Sequence, residues 1–304
     1  MENIQTEQDV LIIGGSYAGL SAAMALGRSL RRVLLIDSGK PCNRQTPHSH
    51  NFITHDGATP AAISAKAREQ VMQYPTVSWL NDTVLSARKT GEGRFELETA
   101  SGKTFRARRI LLATGIREIF PQIEGIEACW GISVLHCPYC HGYEVRGLPT
   151  GILASGEKAF ELARLISNWT DRLTVFSNGP ALLTAEQREK LHSKNIQVQE
   201  ARIQGIQHQN GHISALLAEH GQPFELQALY HHPQLEQHST LAAELGCELD
   251  NGLYIRTDDL MQTSVPGVYA AGDCTTQMRS VALAVAAGGK AGATLNMGLI
   301  AEDF

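Results

Sequence analysis

Long apolar runs are missing from this chain. No stretch approaches the roughly 20 residues needed to cross a bilayer. The first ten residues, MENIQTEQDV, have neither the basic segment nor the apolar segment of a secretory signal. The reading is a cytoplasmic protein with no membrane partner. Basic charge is short as well: 26 Lys and Arg stand against 31 Asp and Glu, a net charge of -5, with no basic cluster to suit a polyanion. Nucleic acid is therefore excluded as a partner class. Aromatics are few, with three Trp, seven Tyr and eight Phe, so the core falls to Ala, Val, Ile and Leu. Six cysteines without an export signal do not make a disulfide scaffold, and a closely spaced pair then points to redox or metal chemistry. What the chain does have is 28 glycines, a hydrophobic fraction of 43% and 304 residues, the length of about two globular domains.

The segment from Asp9 to Leu30, DVLIIGGSYAGLSAAMALGRSL, begins β-branched, turns through glycines and continues with Ala and Leu at helical spacing. It predicts strand, tight turn and helix, and Arg31 to Gly39 adds a second strand that ends in an acidic residue. A helix is predicted from about Pro60 to Gln73. The stretches VSWLNDTVLSARKT and GRFELETASGKTFRARRILLATG alternate in strand fashion and predict an antiparallel meander. From Leu148 to Asn168 the N-terminal pattern returns with weaker glycines, followed by the strand DRLTVFSNG. The run SVPGVYAAGDC, Ser264 to Cys274, precedes the Ala/Gly-rich SVALAVAAGGKAGATLN, which suits a helix packed closely on another backbone. The fold class is α/β with two Rossmann-like nucleotide-binding domains. The first is discontinuous, residues 1–119 and 241–304, and the second, 120–240, is inserted into it.

In GGSYAG, Gly14 permits the tight turn, Ser16 sits where backbone approaches a pyrophosphate, and Gly19 lets the helix pack on the strand. Asp37 lies at the strand end where a carboxylate accepts ribose hydroxyls. Together these indicate an adenine dinucleotide. Cys137 and Cys140, in CPYC, are spaced for a disulfide that opens and closes. The string CPYCH is formally a haem attachment signature, but that chemistry needs export. A zinc site would need His136, Cys137, Cys140 and His141 to close a tetrahedron from adjacent positions. A glutaredoxin-like domain would place CPYC near its own start. His48, His50 and His55 read as a solvated or structural loop ahead of a role near the bound cofactor or substrate, and Cys42, Cys129, Cys247 and Cys274 read as packing residues.

The order GGSYAG, Asp37, LLATG (Leu111 to Gly115), CPYC, a second glycine turn and GVYAAGD ending at Asp273 resembles the low-molecular-weight thioredoxin reductase family over nearly the whole chain. The resemblance implies an FAD domain made of the first and last segments, an inserted pyridine-nucleotide domain carrying the disulfide, and a homodimer. It assigns Gly14, Ser16 and Gly19 to the FAD pyrophosphate and Asp37 to the adenosine ribose. Ala113, Thr114 and Gly115 would supply neighbouring backbone, and Asp273 the ribityl or pyrophosphate end. Cys140 matches the sulfur that faces the flavin and Cys137 the one that exchanges with substrate.

Two departures stand out. The family follows the second cysteine with an acidic proton donor, whereas this chain has His141, whose ordinary pKa of about 6.5 suits acid and base work at neutral pH. This CxxCH form resembles the dithiol oxidases of gliotoxin- and holomycin-type products. In the second turn Ala154 replaces a glycine, Glu157 adds negative charge, and Ser177, Asn178 and Gly179 stand where the family carries basic residues for the 2′-phosphate, so NADPH should bind poorly. The expected protein exchanges electrons between FAD, the Cys137–Cys140 disulfide and a thioredoxin-like protein or small dithiol. A reduced donor such as a ferredoxin would make it a reductase, and O2 as acceptor a dithiol oxidase. The alternatives are a conventional NADPH-dependent thioredoxin reductase and a non-catalytic flavin redox sensor.

Overall fold

The computed structural model describes residues 7–91 and 93–304. These fall into two units, one made of the described residues up to 44, 61–117 and 235–304, the other of 45–60 and 118–234. The segment 45–60, which the sequence reading leaves in the first domain, groups with the second.

In the first unit β1 (Gln8–Ile13), α1 (Tyr17–Arg28) and β2 (Val33–Asp37) form the expected crossover, with β1 and β2 paired in parallel from Val10 opposite Val33 to Ile13 opposite Ile36. Val10 to Ile12 are fully buried, as a parallel strand covered on both faces requires. After α2 (Pro60–Val71) the chain enters β3 (Val77–Asn81), which pairs with β2 in parallel. The meander expected here is therefore antiparallel only further on, through β4 (Val84–Lys89), β5 (Phe95–Thr99) and β6 (Thr104–Leu112). The reason is the helix: α2 returns the chain to the start of the sheet, so the next strand runs the same way as the last.

Strand β6 divides one edge between two partners. Its first half pairs antiparallel with β5, from Ala107 opposite Phe95 to Thr104 opposite Glu98. Its second half pairs in parallel with Val268–Ala270. The opposite edge lies along β1. The C-terminal helix Val281–Asp303 packs on α1, where Ser21 Oγ donates to Val285 O at 2.8 Å. A Cβ at Gly288 would stand 2.1 Å from Ala18 O. The small residues read in the sequence as a close-packing helix do that work here.

The second unit is built on a five-stranded parallel sheet. Its strands are β7 (Val134–Leu135), β8 (Thr150–Leu153), β9 (Leu173–Phe176), β10 (Gln197–Gln199) and, later in the chain, Ala228–His231, in the order β10, β9, β8, Ala228–His231, β7. A short helix, α3 (Pro138–His141), follows β7, α4 (Gly156–Ile166) follows β8, and α5 (Ala185–Ser193) follows β9. Leu135, Ile152, Val175 and Tyr230 of the sheet meet Ala159, Leu162 and Ile166 of α4 in one core. No helix among the described residues is long and apolar enough to cross a membrane.

Candidate functional site

The first unit collects its marked residues at the carboxyl ends of adjacent parallel strands, the edge where such sheets hold ligands. Gly14 follows β1 with φ +106°, and a Cβ there would fall 2.1 Å from Ala113 O. Gly19 lies in the first turn of α1 against the same loop, with a Cβ position 1.9 Å from Gly14 O. Ser16 is the N-cap of α1, yet its side chain makes no capping hydrogen bond, so the first-turn N–H groups are not closed off by it. Asp37, ending β2, accepts from Gly15 N at 2.8 Å and from Gly39 N at 3.0 Å. Ala113, Thr114 and Gly115 leave β6, with Ala113 N donating to Ile13 O at 2.8 Å. Asp273 opens a single turn of 3-10 helix just past Val268–Ala270. Strand order thus gathers all eight residues from four separate segments.

The second unit carries the cysteines. Cys137 and Cys140 are joined in a disulfide with Cα atoms 5.3 Å apart. Cys137 caps α3, Pro138 takes the first helical position, and Cys140 N donates to Cys137 Sγ at 3.1 Å. Tyr139 is exposed and meets Trp169 edge-on at 5.6 Å. His141 ends α3, and burial pushes its pKa down to about 4, with Glu144 opposing that shift and His50 adding to it. The expectation of an ordinary imidazole titrating near neutrality is thus corrected: the ring is neutral at pH 7 because charging it would cost hydration. Cys129, Cys247 and Cys274 are buried and Cys42 is half-buried. Burial raises the Cys274 thiol to about 11, far from a reactive thiolate.

The second glycine turn is occupied by the chain itself. Gly156 N donates to Ala181 O at 2.7 Å, and Ser155 Oγ reaches Pro180 O and Ala181 O, both at 2.9 Å. Ala154 N goes to Phe176 O at 3.1 Å. Glu157 accepts from Gln187 Nε2 at 2.6 Å, and Gln187 itself forms a capping box with Thr184 at the start of α5. Beyond β9, Ser177 Oγ donates to Gly179 O at 2.5 Å, and Asn178 Oδ1 accepts Ile203 N at 2.8 Å. Carbonyl oxygens therefore stand where an anion would need donors.

Sequence reasoning missed one group, Glu144, and read a second, His50, as a loop histidine ahead of a role near the site. Glu144 sits one turn beyond His141, in HGYE, and that spacing was a signal. His50 comes from a loop remote in sequence but within the same unit, and it faces Glu144. His48 is engaged with Gly57 O at 2.9 Å and His55 with Thr54 Oγ1 at 2.9 Å, as loop histidines are. No group of three or more His, Cys, Asp and Glu among the described residues is arranged to hold a metal ion.

Residues 8–290 match the model of a family described as pyridine nucleotide-disulphide oxidoreductase. Thioredoxin reductase tcpT of Claviceps purpurea (strain 20.1) is 34% identical over 304 residues, covering 97% of this chain and 95% of the relative. Among solved structures, the oxidoreductase from Agrobacterium tumefaciens is 37% identical with a TM-score of 0.90, over 97% of this chain and 99% of the other. HlmI is 32% identical with a TM-score of 0.94, over 100% of this chain and 96% of the other.

Proposed function

Because the chain belongs to the pyridine nucleotide-disulphide oxidoreductase family, we propose that it is a thiol–disulfide exchange enzyme that closes or opens dithiols through Cys137–Cys140 and is not driven efficiently by NADPH. It is an oxidoreductase of the thioredoxin reductase type, and FAD is its cofactor. When bound, FAD supplies or takes up the electron pair.

The first unit suits that cofactor. Gly14, Ser16 and Gly19 would present the first-turn N–H groups of α1 to the pyrophosphate. Asp37 would meet the adenosine ribose, Ala113 to Gly115 would line the approach with backbone, and Asp273 would hold the far end. The second unit does not suit a pyridine nucleotide. The observation that carries this half of the reading is the Gly156 N–H, spent on Ala181 O at 2.7 Å. Glu157 would face a phosphate with like charge, and no cation stands in Ser177 to Gly179.

Cys137 is the sulfur that meets the substrate. The N–H of Cys140 aimed at it favours an anionic sulfur once the bond opens. His141, neutral at pH 7, accepts a proton before it donates one, which suits uptake from an incoming thiol. The substrate is a small dithiol or a thioredoxin-like protein. Electrons leave to O2 in the oxidising direction and enter from a reduced protein such as a ferredoxin in the other. The protein works as a homodimer in this reading, and Leu283, Met297 and Ile300 give the C-terminal helix exposed apolar surface for a second copy to cover.

The deciding experiment is anaerobic mixing of the FAD-loaded protein with each donor. Each lost charged contact costs about 1.5 to 3 kcal/mol, or roughly ten- to a hundredfold in affinity. NADPH should therefore leave the visible flavin absorbance largely intact, while a dithiol bleaches it. Rapid stoichiometric bleaching by micromolar NADPH would restore the conventional NADPH-dependent reading.

A further inference from the structure

The redox turn hangs from a slender support. Strand β7 is two residues long and lies at the edge of its sheet, where its pairs with the neighbouring strand are Val134 opposite Leu229 and Leu135 opposite Tyr230. Pro233, two residues past the end of that neighbour, has no N–H with which to extend the ladder. The two segments nevertheless meet again one step further on, because Nε2 of His232 lies 3.0 Å from His136 O. The partner is a carbonyl, so the ring nitrogen donates. That carbonyl belongs to the peptide that leads into Cys137. A side chain thus adds a rung where the backbone pairing stops.

Other contacts fix the same turn from its remaining sides. The His136 ring stacks on Trp130, with centroids 5.5 Å and planes 24° apart, and Trp130 belongs to a core of the second unit. His231, beside His232, reaches a different strand end: its Nδ1 donates to Leu153 O at 3.0 Å. At the far end of the turn Gly142 N donates to Pro138 O at 2.7 Å, and a Cβ at Gly142 would stand 2.9 Å from the Trp169 ring. Between these anchors Cys137 has φ -112° and ψ 110°, extended backbone, with its Sγ 3.1 Å from Cys140 N. His232 itself is exposed, so its bond to His136 O is not a by-product of core packing.

We propose that His232 is a positioning residue for the disulfide: by holding the His136–Cys137 peptide it keeps Cys137 Sγ over the Cys140 N–H, and so keeps Cys137 reactive as a thiolate. The inference rests on the reading of Cys137–Cys140 as an exchanging pair. In the oxidising direction a substrate thiolate attacks Cys137 Sγ, the Cys137–Cys140 bond breaks, and its electron pair stays on Cys140. The second substrate thiol, once deprotonated, attacks the first substrate sulfur. A sulfur–sulfur bond forms in the substrate, the bond to Cys137 breaks, and Cys137 leaves with the electron pair as a thiolate. The substrate loses two electrons, the cysteine pair gains them, and the two thiol protons pass to solvent. Cys137 is the leaving group of the second step, and a sulfur leaves faster when its thiol pKa is low. The Cys140 N–H lowers that pKa by donating to the anion, provided that the sulfur stays above it. Neutral or charged, the His232 ring can keep its Nε2–H, so the brace does not depend on the proton at its other nitrogen.

The test reads Cys137 directly and needs no flavin turnover. Reduced protein carrying Cys140→Ser, which keeps the backbone N–H at that position, is alkylated with iodoacetamide from pH 5 to 9. Modification of Cys137 is counted by peptide mass, which separates it from Cys42, Cys129, Cys247 and Cys274. The pH dependence of the rate gives the thiol pKa. His232→Ala should raise it by about one unit, or roughly tenfold less thiolate on the acid side of both values. His232→Gln retains a side-chain N–H donor and should restore most of the wild-type profile. An unshifted profile in His232→Ala overturns the proposal. A His232→Gln protein as impaired as His232→Ala overturns it too, because the imidazole and not its hydrogen bond would then be what matters. A wild-type disulfide that dithiothreitol leaves closed would instead bring down the exchange reading, whatever His232 does to the thiol.

Discussion

His141 refuses a proton over more than two pH units in which a free imidazole would accept it. Burial holds its pKa at about 4 against an unfolded value near 6.5. Below pH 6.5 the unfolded chain binds a proton at this ring that the folded chain does not, so stability falls as the pH drops from about 6.5 to about 4. His231, lowered by burial as well, adds in the same direction. Replacing His141 with Gln should remove part of that slope, about 1 kcal/mol after allowing for the solvent that reaches a half-buried ring. Urea midpoints at pH 7 and pH 4.5 measure it, and an unchanged difference between the two would show that the ring is hydrated in the folded state. That a titratable residue follows Cys140 is legible in the string CPYCH. Its titration is not, because desolvation belongs to the packed surroundings and not to the residue. Nor is the meeting of His50 with Glu144 legible: nothing local to PHSHNFITHDG distinguishes this histidine from His48 and His55.

At the level of elements, turns and helix faces were readable where backbone approaches backbone. The Ala/Gly pattern of the C-terminal helix predicts tight packing, and the Cβ position of Gly288, 2.1 Å from Ala18 O, shows why the pattern is needed. Gly288→Val should cost about 1 to 3 kcal/mol in a chemical denaturation series. Ala293→Val, at an exposed position of the same helix, controls for the cost of a β-branched residue in a helix, and equal losses at both would mean that the two helices part easily. The direction of β3 was not legible, because alternation marks a strand without saying which neighbour it takes. The closure of the second glycine turn was half legible. Ala154 and Glu157 mark a departure from the glycine pattern, but that Gly156 N meets Ala181 O depends on how the segment after β9 folds back, which no residue spacing encodes.

For the whole molecule, the proposed cofactor residues Gly14, Asp37, Ala113 and Asp273 come from segments far apart in the chain, so flavin retention is expected to depend on the complete first unit. Asp273→Ala should lower FAD occupancy after purification severalfold, by loss of a charge-assisted hydrogen bond of about 1.5 to 3 kcal/mol. The absorbance ratio of flavin to protein reports it, and full retention would move the cofactor's far end elsewhere. The succession of motifs along the chain made this arrangement readable, since each lies at a predicted strand end. The split edge of β6 has a further consequence, for the order of events during synthesis. Residues 104–107 of β6 find β5 at once, but 110–112 must wait for 268–270, and the body of the second unit lies between. The contacts that complete the second unit are all available once residue 234 has left the ribosome, whereas the first still has an open strand edge at that point. The N-terminal unit is thus the last to close, its nascent sheet exposed while its neighbour forms. A chain cut short before Val268 should expose that edge to other chains and aggregate.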